Sequence, residues 1–171
     1  MGKPIQLIFK KQNMDNLNQI GLNEMKAETL VKELNELLAN YSLFYQNVRG
    51  YYWNIKGEKF FELHAKFEEL YNDLFIKIDD IAERILTLGG MPDHNFSEYA
   101  KTAMISEATE VCDGLHVVMD ILGTLQKLII KQRSILKMSG DADDEGTSSM
   151  VSDYIREQEK LVWMYSSFLN N

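Results

Sequence analysis

The sequence predicts an all-α fold, a four-helix bundle with one long crossover, on three observations. Only two prolines, Pro4 and Pro92, stand in 171 residues, so helical hydrogen-bond ladders can run long. Apolar residues recur every three or four positions over four separate stretches, the spacing of a helix face packed on a core. The middle two stretches are joined by a long mixed connection, which lets the third helix run parallel to the second.

Residues 1–22 lack periodicity and carry Lys3, Lys10 and Lys11. They are read as an extension with no assigned secondary structure, and residues 23–171 as one domain. From Asn23, the positions Leu30, Leu34, Leu37, Tyr41, Phe44, Val48 and Tyr52 form the stripe of a first helix, which Gly57 interrupts. A second stripe follows Phe60, Leu63, Phe67, Leu70, Leu74, Ile78, Ile81, Ile85 and Leu88. Gly89, Gly90 and Pro92 end it, two permissive residues and one that cannot continue the ladder.

Residues 91–106 read as the long connection, where Asn95, Phe96, Ser97 and Tyr99 suggest a short extra helix. The third helix is expected from Ser106 or Glu107, along Val111, Leu115, Val118, Leu122, Leu125, Ile129 and Leu136. The polar run 139–149 reads as a loop in which Thr147 or Ser148 caps the fourth helix. That helix carries Val151, Tyr154, Ile155, Leu161, Val162, Tyr165 and Phe168.

Asp and Glu number 26 against 18 Lys and Arg, a formal net charge of -8, which argues against a broad basic face for nucleic acid. No apolar run approaches the roughly 20 residues that span a bilayer, and the first residues lack the apolar centre of a signal peptide. A soluble, cytoplasmic protein is the expectation. The single Cys112 excludes an intrachain disulfide and reads as a small buried apolar residue. Met104, Met119, Met138 and Trp163 read as packing residues, and His94 and His116 as ordinary polar positions.

The second helix carries a more pointed pattern. At about 100° per residue, His64, Glu68, Asp79 and Glu83 fall at about 0°, 40°, 60° and 100°, all on one side of the cylinder. A solvated acidic face gives the same spacing. The rise decides what a metal could use: Glu68 and Asp79 lie about 16 Å apart along the axis, and His64 and Glu83 about 28 Å. No single ion touches both ends. Both pairs nevertheless share the midpoint 73.5, so a second copy packed antiparallel about a two-fold axis near Asn72 and Asp73 would bring His64 and Glu68 toward Asp79 and Glu83 of its mate. Two identical sites would result. Imidazole with carboxylates suits divalent first-row metals such as iron or manganese and leaves positions open for water or oxidant.

The stretch from Tyr52 to Gly90, YWNIKGEKFFELHAKFEELYNDLFIKIDDIAERILTLGG, resembles the signature of the Dps family, the DNA-binding proteins from starved cells. That signature is His-Trp-Asn, a second His twelve residues after the first, an acidic residue four further, Asp eleven further, and Glu in Ala-Glu-Arg before Gly-Gly. Trp53, Asn54, His64, Glu68, Asp79, Glu83, Arg84, Gly89 and Gly90 fit it, and Glu159 to Trp163 is similar to the family's last helix. The resemblance implies a ferritin-like four-helix subunit with a short helix in the long connection, and twelve copies in a hollow cage built from two-fold dimers. It implies an Fe(II) oxidase site at each dimer interface, with His64 and Glu68 from one subunit and Asp79 and Glu83 from the other. Hydrogen peroxide would be the oxidant, and ferric mineral would be stored inside, protecting against oxidative stress. Trp53 would stand close enough to intercept oxidising equivalents. Acidic residues near the start of the last helix, here Asp141, Asp143, Asp144 and Asp153, would line pores that attract ferrous ions. A ferritin-type centre within one subunit is not expected, because it needs Glu-x-x-His on two helices and the chain has none.

One position departs from the pattern: Tyr52 stands where the first histidine should precede Trp53. Imidazole is a ready neutral ligand near neutral pH, whereas a phenol must lose a proton to bind strongly. Three outcomes compete: Tyr52 packs beside a weakened site, it ligates the metal or holds a metal-bound water, or the site is silent. DNA association is the competing function, a catalytically weak cage that compacts DNA. Only Lys3, Lys10 and Lys11, multiplied over many copies, could mediate it, against the acidic balance of the chain.

Overall fold

Asn23 begins the first helix by accepting a hydrogen bond from Lys26 N at 3.1 Å, a side-chain cap on an otherwise orphaned donor. In the computed structural model, which describes residues 16–110 and 113–170, five helices follow in order. They are α1 (Glu24–Asn54), α2 (Phe60–Thr87), the short α3 (Phe96–Thr102), α4 (Gly114–Asp141) and α5 (Glu145–Leu169). The all-α architecture matches the apolar pattern, and the short helix lies inside the crossover. Among the described residues no helix is long and apolar enough to cross a membrane. Lys3, Lys10, Lys11, Val111 and Cys112 lie outside the described residues.

The core is the four-helix interior, with Leu34, Leu37, Tyr41, Phe44, Phe67, Leu74, Ile81, Ile121, Leu125, Ile135 and Val151 excluded from solvent. The glycines after α2 act as the sequence suggested. Gly89 takes φ +89, a value costly for any side chain, and Gly90 N donates to Ile85 O at 3.0 Å, closing the helix in a Schellman-type turn.

Three asparagines on α1 hold the crossover. Asn35 donates to Met91 O at 3.1 Å and accepts from Asp93 N at 2.8 Å. Asn40 accepts from Met104 N at 2.9 Å and Ile105 N at 3.2 Å. Asn47 donates to Ser106 O and accepts from Ala108 N, both at 2.9 Å. The crossover therefore climbs α1 from Asn35 to Asn47 and delivers α4 beside the start of α2, where Gly114 packs against Leu63. At its far end Lys26 Nζ donates to Asp141 O. These contacts run α4 parallel to α2 and antiparallel to α1.

The same clamp explains why α4 starts at Gly114 rather than near Ser106. Asn47 engages the backbone of Ser106 and Ala108, which removes those groups from any helical ladder. Asp113 then caps, accepting from His116 N at 2.9 Å. The expected loop 139–149 is also shorter than its composition suggests: only residues 142–144 separate α4 from α5. Neither Thr147 nor Ser148 caps α5; Asp144 does, accepting from Thr147 N at 2.9 Å.

Trp163 is 65% exposed rather than a packing residue, and Met104 and Met119 are exposed too. Trp163 and Met119 sit on outward arcs of α5 and α4, beyond the stripe that faces the core, and Met104 lies in the connection after α3.

Replacing Asn40 by alanine would leave the buried Ile105 N–H without its acceptor, at a cost of about 2 kcal/mol. Urea unfolding of Asn40→Ala should show that loss with helical content retained, and an unchanged midpoint would contradict the clamp.

Candidate metal centre

His64 is half-buried on the first half of α2. Its Nδ1 lies 2.9 Å from the backbone carbonyl oxygen of Tyr52 at the end of α1. A carbonyl only accepts, so Nδ1 carries a proton, and in the neutral ring Nε2 is the nitrogen that keeps its lone pair, the tautomer a metal needs. The imidazole stacks on the Tyr52 ring, centroids 3.9 Å apart and planes 18° apart, and on Phe60 at 4.9 Å and 23°. Its orientation is thus fixed by one hydrogen bond and two rings.

Behind it the aromatic cluster continues. Tyr71 meets Tyr52 edge-on at 5.3 Å and Tyr45 at 6.2 Å. Arg49 lies over Tyr45 at 5.3 Å and over Trp53 at 4.7 Å, and Trp53 is 56% exposed. Partial burial first, and then the charge of Glu68, raise the Tyr71 phenol above its ordinary pKa, so it stays protonated near neutral pH. None of these aromatic neighbours beyond Tyr52 and Trp53 was singled out from sequence. Tyr45, Arg49 and Trp53 sit four residues apart on α1, the one signal that could have joined them.

Glu68, Asp79 and Glu83 are exposed. Among the described residues no three His, Cys, Asp or Glu side chains of one chain gather closely enough to hold a metal, in keeping with donors spread along a single helix. The same arc of α2 carries large apolar side chains left in solvent: Phe61 at 84%, Phe75 at 62% and Leu86 at 58% exposure. Relative to His64 they fall at about 60°, 20° and 40°, among the donors. Phe61 and Leu86 share the midpoint 73.5 with the two donor pairs, and Phe75 shares it with Asn72. An apolar stripe of this size on one helix marks a surface to be covered, and its symmetry is that of antiparallel pairing with a second α2.

The acidic group near the last helix divides. Asp141 and Asp143 are exposed, and Asp153 pairs with Arg156 at 2.9 Å. Asp144 differs from them: it is buried, caps α5 and pairs with Arg84. Arg84 also donates to Thr147 Oγ1 at 2.9 Å. Gly146 permits this, since a Cβ there would come within 2.7 Å of the guanidinium. The ion pair tells Asp144 apart from its neighbours, and only its position relative to Arg84, 60 residues away, could reveal that.

The description Ferritin-like domain belongs to the family that matches residues 31–171, so the class is that of ferritin-like bundles. The chain is 43% identical over 152 residues to the DNA protection during starvation protein of Porphyromonas gingivalis, covering 89% of this chain and 96% of the relative. An uncharacterized protein of Haemophilus influenzae is 51% identical over 148 residues, 86% of this chain and 92% of its own length. Among solved structures, the Dps protein from Vibrio cholerae O1, described as a member of a superfamily of ferritin-like diiron-carboxylate proteins, superposes with TM-score 0.88 at 53% identity. That match covers 90% of this chain and 97% of the other. Dps from Staphylococcus aureus superposes with TM-score 0.81 at 31% identity, over 83% and 95%. The chain belongs to the Dps family of ferritin-like proteins.

Arg84→Met would leave the Asp144 carboxylate buried without its counter-ion, costing about 3 kcal/mol. Thermal unfolding should show the loss, and an added Asp144→Asn should recover part of it; a neutral Arg84→Met would rule out the pair as a fastening of α5 to α2.

Proposed function

We propose that this chain oxidises Fe(II) with hydrogen peroxide at two equivalent sites across a dimer of α2 helices, within a closed shell of twelve copies that stores the ferric product. Each site would take His64 and Glu68 from one subunit and Asp79 and Glu83 from the other. The carrying observation is the arc of α2: an imidazole with its Nε2 free, three exposed carboxylates, and exposed apolar residues about one midpoint. Family membership and the diiron-carboxylate description of the Vibrio cholerae relative support the same reading.

The residues fit a ferrous substrate. Three carboxylates and one neutral imidazole offer mixed oxygen and nitrogen donors and offset its charge. His64 needs no reorientation to bind, because the Tyr52 carbonyl and the flanking rings already fix it. Two ferrous ions each give up one electron, the O–O bond of peroxide breaks, and two protons are taken up as two waters leave. Protection from oxidative stress in the cytoplasm follows from removing iron and peroxide together. Asp141 and Asp143, with Asp153, are the residues we assign to a negative funnel for incoming ferrous ions.

Tyr52 acts as a positioning residue in this proposal: its carbonyl orients His64, and its phenol replaces an imidazole donor, weakening ferrous binding. Anaerobic loading with Fe(II) followed by peroxide should give ferric absorbance that a His64→Ala, Asp79→Ala double variant lacks; equal signals would refute the site. Calorimetric titration of Tyr52→His should show tighter ferrous binding, and an unchanged curve would place residue 52 outside the ligand set.

Covering of the α2 arc is tested separately. Phe75→Glu puts a charge at the centre of the pairing face, and light scattering should report smaller particles than the parent chain. A particle size equal to the parent's would remove the antiparallel dimer.

A further inference from the structure

Tyr52 brings an oxidisable phenol ring into the closest aromatic contact made by the imidazole of the candidate centre. The stack at 3.9 Å and 18° lays its ring carbons against the His64 ring. The carbonyl of the same residue is tied to His64 Nδ1, and Tyr71 meets its ring from the side, so the phenol is flanked by both rings. The other tyrosines are differently placed. Tyr41, Tyr51, Tyr154 and Tyr165 are buried, Tyr71 stands behind Tyr52, Tyr45 lies beyond Tyr71 under Arg49, and Tyr99 lies on the crossover, donating to Asp93 O at 2.7 Å.

We propose that Tyr52 is a self-modification site: iron held at His64 together with hydrogen peroxide hydroxylates the Tyr52 ring at a carbon next to the phenol carbon, leaving a catechol. The inference rests on the ferroxidase reading above. Electron donation from a phenol oxygen concentrates reactivity at the two neighbouring ring carbons, so an electrophilic oxygen delivered at the His64 edge attacks there. The step balances without a further reductant. The O–O bond breaks, one oxygen enters the ring C–H bond to make C–OH, the other leaves as water, and the ring supplies both electrons. Iron ends in the oxidation state in which it began.

The product has a use in this particular chain. Two adjacent oxygens form a chelate for a hard ferric ion where one phenol offers a single donor. Hydroxylation would thus return donor capacity at the position where Tyr52 stands in place of an imidazole. Early turnovers would build a ferric anchor that the freshly made chain lacks.

The test uses the full chain treated with ferrous ion and peroxide, then digested and mapped by mass spectrometry, with a redox-cycling tetrazolium stain for catechols. The peptide of residues 50–56 should gain one oxygen atom, and its fragments should place that oxygen on Tyr52 rather than Tyr51 or Trp53. Tyr99 should stay unmodified, and the stain should turn positive. The gain should be lost in His64→Ala, and also in the parent chain when redox-inert Zn(II) occupies the site first, which guards against a variant that fails to fold. Ferric absorbance with Tyr52 at its original mass overturns the inference and leaves the ferroxidase reading standing. Oxygen placed on Trp53, spread evenly over the tyrosines, or persisting with Zn(II) bound also overturns it. Neither ferric absorbance nor modification overturns both readings.

Discussion

The architecture depends on how the crossover satisfies its own backbone. A segment of this length laid across a helix pair exposes peptide groups that neither helix can serve, and orphaned donors in such a place are costly. Asn35, Asn40 and Asn47 resolve this by presenting amide groups that stand in for a neighbouring strand. Because they do so along α1, the crossover occupies that side of the bundle. Among the described residues, Glu68, Asp79 and Glu83 on the opposite arc of α2 stand exposed, and His64 beside them is half-buried under Tyr52 and Phe60. A polar zipper on one helix therefore decides which face of another is left for a partner.

The interior is polar where the four helices converge. Gln132 donates to Tyr41 at 3.1 Å and to Gln158 at 2.8 Å, and Gln158 donates to Tyr41 at 2.6 Å. Tyr154 donates to Asp80 at 3.3 Å, and Lys77 is held between Asp73 and Glu157. Burial pushes the Tyr41 and Tyr154 phenols well above their ordinary range, so they act as neutral hydrogen-bonding groups. These contacts join all four long helices through residues with no spacing in common, and the lysine already fills its pair of carboxylates.

The helices and the donor arc were legible because periodicity and rise are properties of a single helix, computable from residue numbers alone. The start of α4 was not: Ser106 and Ala108 are compatible with a helix until Asn47, some 60 residues earlier in the chain, claims their backbone. The burial and ion pair of Asp144 were hidden for the same reason, since Arg84 is invisible from the composition of a local acidic run. Trp163 and Met119 were misread because hydrophobic character implies core only if the residue lies on the inward arc. Tyr52 was recognised as a departure from a pattern, but its carbonyl bond and ring stack to His64 required three dimensions.

The separation of donors along α2 carries a genetic consequence under the proposed pairing. An allele that ruins the nitrogen-bearing half and another that ruins the acidic half each abolish both centres of a pure dimer. In a mixed dimer the two defects segregate: one centre collects every damaged group and its twin is fully restored. Two null alleles expressed together would complement within one gene, with half the centres of each mixed pair recovered.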